Sequence, residues 1–251
     1  MSQWADAARE NVIQTYALLA RSVPGTRLDL KPEYMASLGA AHEPFASFVA
    51  GFELETDAQA FDTASAIDAL AADRPHLMVY ICTGDRIASL KTTLENRAFR
   101  RNSRLVALAA APGASDDESL LSLAVAPADR EAIARFMVDQ FFKRMTAESR
   151  DRILSATARS ATQLYSLGPV RSPHAAVMLT PMDGSLGLYN LCVRRELRSK
   201  GLGSQVVRHV LALAGMRGVP VVLQCEESLA PWYESQGFQA VGEVEAWRRG
   251  G

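Results

Sequence analysis

A glycine-rich basic loop between an apolar strand and an amphipathic helix is the feature that most limits how this chain can fold. The loop is RSKGLGS, Arg198–Ser204. The strand is predicted over Ser185–Val193 and the helix over Gln205–Met216, which carries apolar residues at helical spacing. Because a helix with one apolar face must pack on a neighbouring layer, the pattern predicts a sheet covered by helices, with the loop held at its edge.

Three interpretations of RSKGLGS compete. The first is a surface turn with solvated Arg and Lys side chains. The second is a dinucleotide-binding fingerprint, which we reject because Val206 stands at its third glycine position and the polar stretch 194–200 separates the strand from the first glycine. The third is a pyrophosphate site, since glycines let backbone N–H groups converge on an anion and a helix start adds unpaired N–H groups. The loop alone leaves the first and third open.

The rest of the chain alternates short apolar strands with helices. Helices are predicted at the N-terminus and over Asp57–Arg74, Asp85–Arg97, Pro127–Phe142, Ala147–Arg159 and Ser228–Gln236. Strands are predicted over Arg27–Leu30, Tyr34–Leu38, Phe45–Leu54, His76–Cys82, Arg100–Ala111, Gln163–Ser166, His174–Thr180, Pro220–Cys225 and Phe238–Trp247. PMDG (Pro181–Gly184) is a hairpin turn. The fold class is therefore α+β, with mixed α/β sheets flanked by helices.

A weak internal repeat favours two similar halves. LENRAFRR (Leu94–Arg101) and YESQGFQA (Tyr233–Ala240) each close a helix that follows a buried strand, and each opens another strand. The small, polar stretch Ala111–Ser119 is the best linker. We predict an N-terminal domain over residues 1–112 and a C-terminal domain over residues 118–251.

Charge and cysteine content exclude several classes of protein. The formal net charge is -1, so no global basic field attracts nucleic acid or an anionic membrane. Cys82, Cys192 and Cys225 have no metal-binding spacing, which predicts free thiols, no metal site and a reducing cytoplasmic location. The N-terminal segment predicts a packed amphipathic helix and no signal peptide or membrane span.

The C-terminal pattern resembles the GNAT acyltransferase superfamily. LYNLCVRRELRSKGLGSQVVRHVLALA, followed by PVVLQCEESLAPWYESQGF, is similar to the family's strand, Arg/Gln-x-x-Gly-x-Gly/Ala loop, helix, buried strand and helix ending in Tyr-x-x-x-Gly-Phe. The resemblance covers about sixty residues and implies an acyltransferase that uses acetyl-CoA or another acyl-CoA. It implies that the CoA pyrophosphate is held, mostly through backbone N–H groups, by Arg198, Ser199, Lys200, Gly201, Leu202, Gly203 and Ser204. It also implies that the strand end Leu191, Cys192 and Val193 pairs with the pantetheine arm and polarises the thioester carbonyl.

The resemblance places two candidate catalytic residues. Tyr233 is the expected general acid for the departing thiolate, against the alternative that its ring only packs on the sheet. Glu226 is the expected base, because deprotonating an alkyl amine with a pKa near 10.4 at pH 7 costs roughly 4–5 kcal/mol. Its alternative role is a helix-start carboxylate that satisfies backbone N–H groups.

Other polar or reactive side chains near the loop are expected to be structural. We interpret Cys192 as a small apolar filler and His174 and Trp232 as structural residues. Strand alternation lets only one of Tyr189 and Asn190 face the acceptor.

The N-terminal half looks like a degenerate copy of the same fold. Its equivalent loop, FELETDAQAF (Phe52–Phe61), has no glycine or basic residue and three acidic residues that would repel a pyrophosphate. We expect this half to pack on the C-terminal half, to wall the acceptor pocket and to complete the sheet where the family's seventh strand lacks room.

The function expected from the sequence is an N-acetyltransferase acting on the amine of a small molecule, as a monomer or homodimer. Two alternatives stay open, namely a non-catalytic acyl-CoA-binding regulatory module and a longer-chain or O-acyl transferase on the same fold.

Overall fold

The described residues form an eleven-stranded mixed sheet covered by helices on both faces, and a separate two-stranded sheet. The computed structural model describes residues 4–40, 46–113 and 120–250. The helices are α1 (Ala5–Arg21), α2 (Asp57–Asp73), α3 (Leu90–Asn96), α4 (Pro127–Phe141), α5 (Ala147–Arg159), α6 (Leu202–Arg217) and α7 (Ala230–Glu234). The strands are β1 (Arg27–Leu30), β2 (Met35–Leu38), β3 (Phe48–Ala50), β4 (Glu53–Leu54), β5 (Met78–Cys82), β6 (Arg86–Ile87), β7 (Phe99–Ala110), β8 (Leu121–Leu123), β9 (Gln163–Leu167), β10 (Ala175–Met182), β11 (Ser185–Val193), β12 (Val221–Cys225) and β13 (Gln239–Arg249). The mixed α/β fold class predicted from the sequence is confirmed.

The two halves exchange strands at the centre of the sheet. The strand order is β1-β2-β3-β5-β13-β7-β12-β11-β10-β9-β8. The C-terminal strand β13 therefore lies between β5 and β7 of the N-terminal half, and β7 lies between β13 and β12 of the C-terminal half. All three junctions are antiparallel. Each half thus supplies a strand to the other, which supports the prediction that the N-terminal half completes the sheet.

The helices form two layers, and alternating side chains on β7 show which helix covers which face. Leu108 and Ala110 pack in the cluster that contains α6, whereas Ala107 and Ala109 pack with α1 on the opposite face. On β5, Val79 and Ile81 pack with α2 and α3, and Tyr80 packs with α1. Hence α2, α3 and α6 cover one face of the sheet. Helix α1 covers the other face, over the central strands where the two halves meet.

The internal repeat has a shared backbone geometry. Ala98 and Gly237 both adopt a left-handed conformation, with φ of 62° and 92°. Each is followed by a buried phenylalanine, Phe99 or Phe238, at the start of a central strand. Leu94 occupies in the first half the place that Tyr233 occupies in the second, which supports two halves of common architecture.

Several predicted elements differ from the structure. The helix predicted over Asp85–Arg97 contains a short strand, β6, before α3 begins at Leu90, because Arg86 and Ile87 pair with β4. The strand predicted over Phe45–Leu54 is split at Gly51, whose φ is 73°. The sequence pattern missed β8. The helix predicted from Gln205 begins at Leu202, so the end of RSKGLGS is its first turn. Most of the predicted linker Ala111–Ser119 lies outside the described residues.

Candidate active site

Strands β11 and β12 diverge at the centre of the C-terminal half. They are parallel and pair only at Leu186 with Val221 and at Gly187 with Val222. Beyond these pairs β11 continues to Val193 and β12 to Cys225, while β12 turns its other edge to β7. The divergence leaves an opening between two parallel strands, with backbone N–H and C=O groups of β11 along its edge.

A β-bulge lies in β11 beside this opening. The register with β10 shifts between the pairs Ala176–Cys192 and Met178–Tyr189, and Asn190 has a φ of 50°. A bulge adds one residue to a strand and re-aims the neighbouring groups. Asn190 and Tyr189 consequently both lie on the α1 face, where Tyr189 Oη donates to Asn11 Oδ1 at 2.8 Å and Asn190 lines a cavity. The expectation that only one of the two faces that side was wrong, because the bulge interrupts strand alternation.

The loop RSKGLGS follows β11 after one short helical turn, and it leads from exposed residues into the half-buried first turn of α6. Gly201 is the residue before the helix, with a φ of 77°, and no side chain caps the helix start. The first turn is closed by the N–H of Gln205, which donates to the oxygen of Gly201 at 3.0 Å. The N–H groups of Leu202, Gly203 and Ser204 precede that bond and have no partner within the helix. They form a positive, open helix terminus of the kind that binds phosphate groups.

The side chain of Arg198 holds this loop to the protein. Its Nε donates to the oxygen of Val193 at 3.1 Å, and its terminal nitrogen donates to Gln140 Oε1 on α4 at 3.0 Å. Ser199, with a φ of 60°, and Lys200 are exposed. Arg198 therefore positions the loop.

Trp232 connects the helix start to Tyr233. A Cβ placed on Gly203 would lie 3.3 Å from the Trp232 ring and 3.9 Å from Val193. The Trp232 and Tyr233 ring centroids are 4.7 Å apart at 70°, and Tyr233 contacts Phe238 at 5.5 Å. The fold thus brings the strand end, the glycine loop and Tyr233 into one neighbourhood.

Tyr233 is a buried phenol with no hydrogen-bond partner for its hydroxyl among the described residues. It is 8% exposed, and burial together with the nearby Cys225 thiol raises the pKa of Tyr233 well above its usual value. The phenol is therefore protonated at neutral pH and able to donate a proton.

Glu226 directly follows β12 and is exposed. It makes no side-chain capping bond to the short helical turn that it precedes, so the alternative capping role is not realised. Its carboxylate lies near Cys225, where burial first and then the charges of Glu226 and Glu234 raise the pKa of the Cys225 thiol to about 11.

Cys192 is also a buried thiol. Burial raises the pKa of Cys192 to about 12, which supports its interpretation as packing and not as a nucleophile.

No group of three or more His, Cys, Asp or Glu side chains among the described residues is arranged to hold a metal ion.

The corresponding opening in the N-terminal half is closed. Strands β3 and β5 are parallel and also pair at two positions, but beyond them β4 pairs with β6. Arg9 of α1 ties this region together, with Nε 2.6 Å from Asp85 and a terminal nitrogen 2.8 Å from Glu53. At the start of α2, Thr56 and Gln59 form a reciprocal capping box. The helix start is satisfied internally and flanked by carboxylates, which supports the prediction that this half does not hold the cofactor.

Comparison with known proteins identifies the family of one stretch in the C-terminal half. Residues 171–240 match the family described as acetyltransferase (GNAT) domain. This stretch is a GNAT acetyltransferase domain. It contains the bulged strand, the glycine loop, α6, β12 and Tyr233. No curated protein matches the sequence.

Solved structures match the GNAT fold over nearly the whole chain. A GCN5-related N-acetyltransferase from Kribbella flavida is 15% identical, with a TM-score of 0.66 over 98% of this chain and 96% of that one. A GCN5-related N-acetyltransferase from Sphaerobacter thermophilus is 16% identical, with a TM-score of 0.57 over 96% of this chain and 86% of that one. A tandem GNAT protein from the clavulanic acid biosynthesis pathway is 12% identical, with a TM-score of 0.55 over 98% of this chain and 96% of that one. The tandem GNAT architecture, with the family signature in the C-terminal half, therefore agrees with the sequence prediction.

Among the described helices, none is long and apolar enough to cross a membrane.

Proposed function

We propose that this protein is an N-acetyltransferase that moves an acetyl group from acetyl-CoA to the amine of a small molecule. The observation that carries the proposal is the assembly of three features at one place, namely the divergence of β11 and β12, the uncapped start of α6 and the buried phenol of Tyr233. A regulatory domain that only binds acyl-CoA would need the first two and not the third.

The residues present fit an acyl-CoA. The pyrophosphate would lie on the N–H groups of residues 199–204, where a Cβ on Gly201 would meet nothing within 4 Å and one on Gly203 would press on Trp232. The pantetheine arm would pair with the free edge of β11 at Leu191, Cys192 and Val193, as one strand adds to another. Acetyl-CoA supplies the activated acetyl group.

The protein's own groups would then stabilise the developing charge and transfer the protons. A backbone N–H beside the bulge would hydrogen-bond to the thioester oxygen and stabilise negative charge on it. As the acceptor nitrogen forms the new C–N bond and the C–S bond breaks, Tyr233 would give its proton to the leaving sulfur. Glu226, directly or through water, would take the proton that the nitrogen loses.

The first test uses a charge placed at the proposed pyrophosphate site. Ser204→Glu puts a carboxylate in the first turn of α6, where the helix dipole favours it, so the ligand-free protein should be as stable as the original. Acetyl-CoA at about 100 times its dissociation constant should raise the melting temperature of the original protein by roughly 5–10 °C. Ser204→Glu should abolish that shift.

Ser204→Gln is the matched control, since it has the same size without the charge, and it should retain more of the shift than Ser204→Glu. Equal shifts in the two variants would place the pyrophosphate elsewhere. No shift of the original protein with any acyl-CoA would make the loop a plain turn. A shift only with longer acyl-CoAs, or binding without transfer to any amine, would favour the alternative functions.

A further inference from the structure

A cavity on the α1 face reaches the bulge of β11 from the side opposite α6. Its volume is about 380 Å³, within the range of small-molecule sites. Asn190, the residue at the bulge, lies in its wall. The other walls come from both halves of the chain, with Tyr16 on α1, Tyr80 on β5 and Thr157 on α5 among them. A molecule in this cavity would therefore approach the β11 backbone where the thioester is proposed to lie, so the inference rests on the proposed function.

None of the described residues that line the cavity has a charged side chain. Tyr16, Phe48 and Tyr80 form an aromatic cluster, with ring centroids 4.8 Å apart for Tyr16–Tyr80, 5.8 Å for Phe48–Tyr80 and 6.2 Å for Tyr16–Phe48. Phe142 and Met145, which follow the end of α4, bound the cavity on the other side. A carboxylate or ammonium group held here would lose its water without gaining an ion pair, which is costly.

The polar groups of the wall are uncharged. The hydroxyls of Tyr16 and Tyr80 have no hydrogen-bond partner among the described residues, although both rings line the cavity. Burial, and then the neighbouring Tyr80, raises the pKa of Tyr16 well above its usual value, and burial raises that of Tyr80 to about 12, so both hydroxyls keep their protons. They can donate to, or accept from, a neutral polar atom.

An uncharged wall also favours the reactive form of an amine. Burial in an apolar site disfavours the ammonium form and lowers the pKa of an amine. The single nitrogen that must attack the thioester is therefore bound most readily without its proton. A second charged group on the same molecule would be penalised, because the described wall offers it no counter-charge.

We propose that this cavity is the acceptor site and that it takes a hydrophobic monoamine, with an aromatic or apolar body, one primary amine and no other charged group. Diamines, amino acids and amino sugars are disfavoured, the first two by their second charge and the last by its many hydroxyls.

The proposal is tested with a panel of amines and the full-length protein, with acetyl-CoA as donor and release of free CoA thiol as the readout. The central pair is 2-phenylethylamine and L-phenylalanine, which differ by one carboxylate. We expect kcat/KM to be about 100-fold or more higher for 2-phenylethylamine, in keeping with the cost of burying an unpaired charge. 1,4-Diaminobutane and glucosamine should be equally poor acceptors.

A variant tests the location. Met145, 37% exposed in the loop after α4, lines the cavity, whereas Met216, 77% exposed on α6, does not. Met145→Glu should lower kcat/KM for 2-phenylethylamine about tenfold and raise it for 1,4-diaminobutane, with the KM for acetyl-CoA unchanged, because a carboxylate in the wall repels an apolar body and attracts a cation. Met216→Glu should change none of the three.

The outcomes separate the two proposals. Transfer to charged or sugar amines in preference to 2-phenylethylamine would overturn the acceptor class and leave the acetyltransferase function standing. Equal effects of Met145→Glu and Met216→Glu would overturn the location. Binding of acetyl-CoA with no transfer to any amine would overturn this inference and the catalytic function together, whereas failure to bind any acyl-CoA would overturn the proposed function at its first step.

Discussion

Tyr233 is the side chain on which the proposed chemistry depends most. Tyr233→Phe removes only the hydroxyl and keeps the ring contacts with Trp232 and Phe238. We expect kcat to fall by about 10²- to 10⁴-fold, the usual contribution of a positioned acid, while the dissociation constant of acetyl-CoA stays the same. Steady-state kinetics and calorimetric titration measure the two quantities.

Tyr165→Phe is the matched control for this substitution. Tyr165 is half-buried on β9 and packs against the same apolar cluster, but its hydroxyl makes only a long contact of 3.4 Å to Gln163. This variant should keep its turnover. Unchanged turnover in Tyr233→Phe would instead show that another group, or water, protonates the leaving sulfur.

Single residues also show what the sequence could and could not reveal of the site. The positive φ of Gly201 before α6 was predictable, because a tight turn at a helix start favours glycine. The role of Tyr233 stays a prediction that rests on the resemblance of its Tyr-x-x-x-Gly-Phe pattern to the family. The bulge at Asn190 was missed because alternation assumes a regular strand. Asn tolerates positive φ better than most residues, so an Asn within a run of β-formers was the available signal.

At the scale of elements, Glu245 joins the exchanged strand β13 to its neighbours. Its carboxylate lies 2.8 Å from Lys91 on α3 and 3.2 Å from Arg101 on β7, and it accepts from Trp247 Nε1 at 3.0 Å. Burial alone would raise the pKa of Glu245. The hydrogen bonds from Lys91 and Trp247, with the charge of Lys91, outweigh burial and hold that pKa below its usual value.

The lowered pKa predicts a pH-dependent contribution to stability. It is present above the unfolded-state pKa of about 4.3 and is lost as the pH falls through the lower folded-state pKa. Glu245→Gln should reduce the free energy of unfolding by about 1–2 kcal/mol at pH 7, and the deficit should shrink towards pH 3. Urea unfolding at the two pH values measures it.

Glu243 gives the control on the same strand. Its carboxylate lies 3.2 Å from Arg104, and both side chains are 42% exposed. Glu243→Gln should cost well under about 1 kcal/mol, as exposed pairs usually do. If Glu245→Gln lowered the free energy of unfolding no more than Glu243→Gln, or by the same amount at pH 3 as at pH 7, the ionised Glu245 would not stabilise the contact of β13 with its neighbours.

Element length decided which parts of the fold were predictable. The helix α5 matches its predicted bounds and α2 differs by one residue at its end, because long helical segments with clear start signals are unambiguous. Strands β4, β6 and β8 are two or three residues long. Such strands exist only because a distant segment pairs with them, and no local pattern records that partner.

At the scale of the whole molecule, the strand exchange should make the two halves unfold together. The β13–β7 register extends from Gln239 opposite Ala109 to Arg249 opposite Phe99, so neither half keeps its part of the sheet's centre if the other half opens. We expect one cooperative calorimetric transition, with equal calorimetric and van't Hoff enthalpies. Two separate transitions would mean that the halves are independently stable.

The sequence predicted two related halves, and that the first completes the sheet, but not that β13 inserts between β5 and β7 of the first half. The repeat at Leu94–Arg101 and Tyr233–Ala240 shows that each half ends its pattern with a strand. Which neighbour receives that strand depends on the edges left open elsewhere in the sheet. The division at residues 112–118 therefore stays a prediction about which segments are related by duplication.

The exchange also has a consequence for synthesis. Val79 pairs with Trp247, which the ribosome adds more than 160 residues later. The N-terminal half must therefore wait, with the edges of β5 and β7 unpaired, until β13 emerges. Pairing over such a separation is slow, and open edges invite wrong partners. The order of translation thus makes the N-terminal half the more vulnerable one in the cell, and we expect chaperones to engage this half while the C-terminal half is still being made.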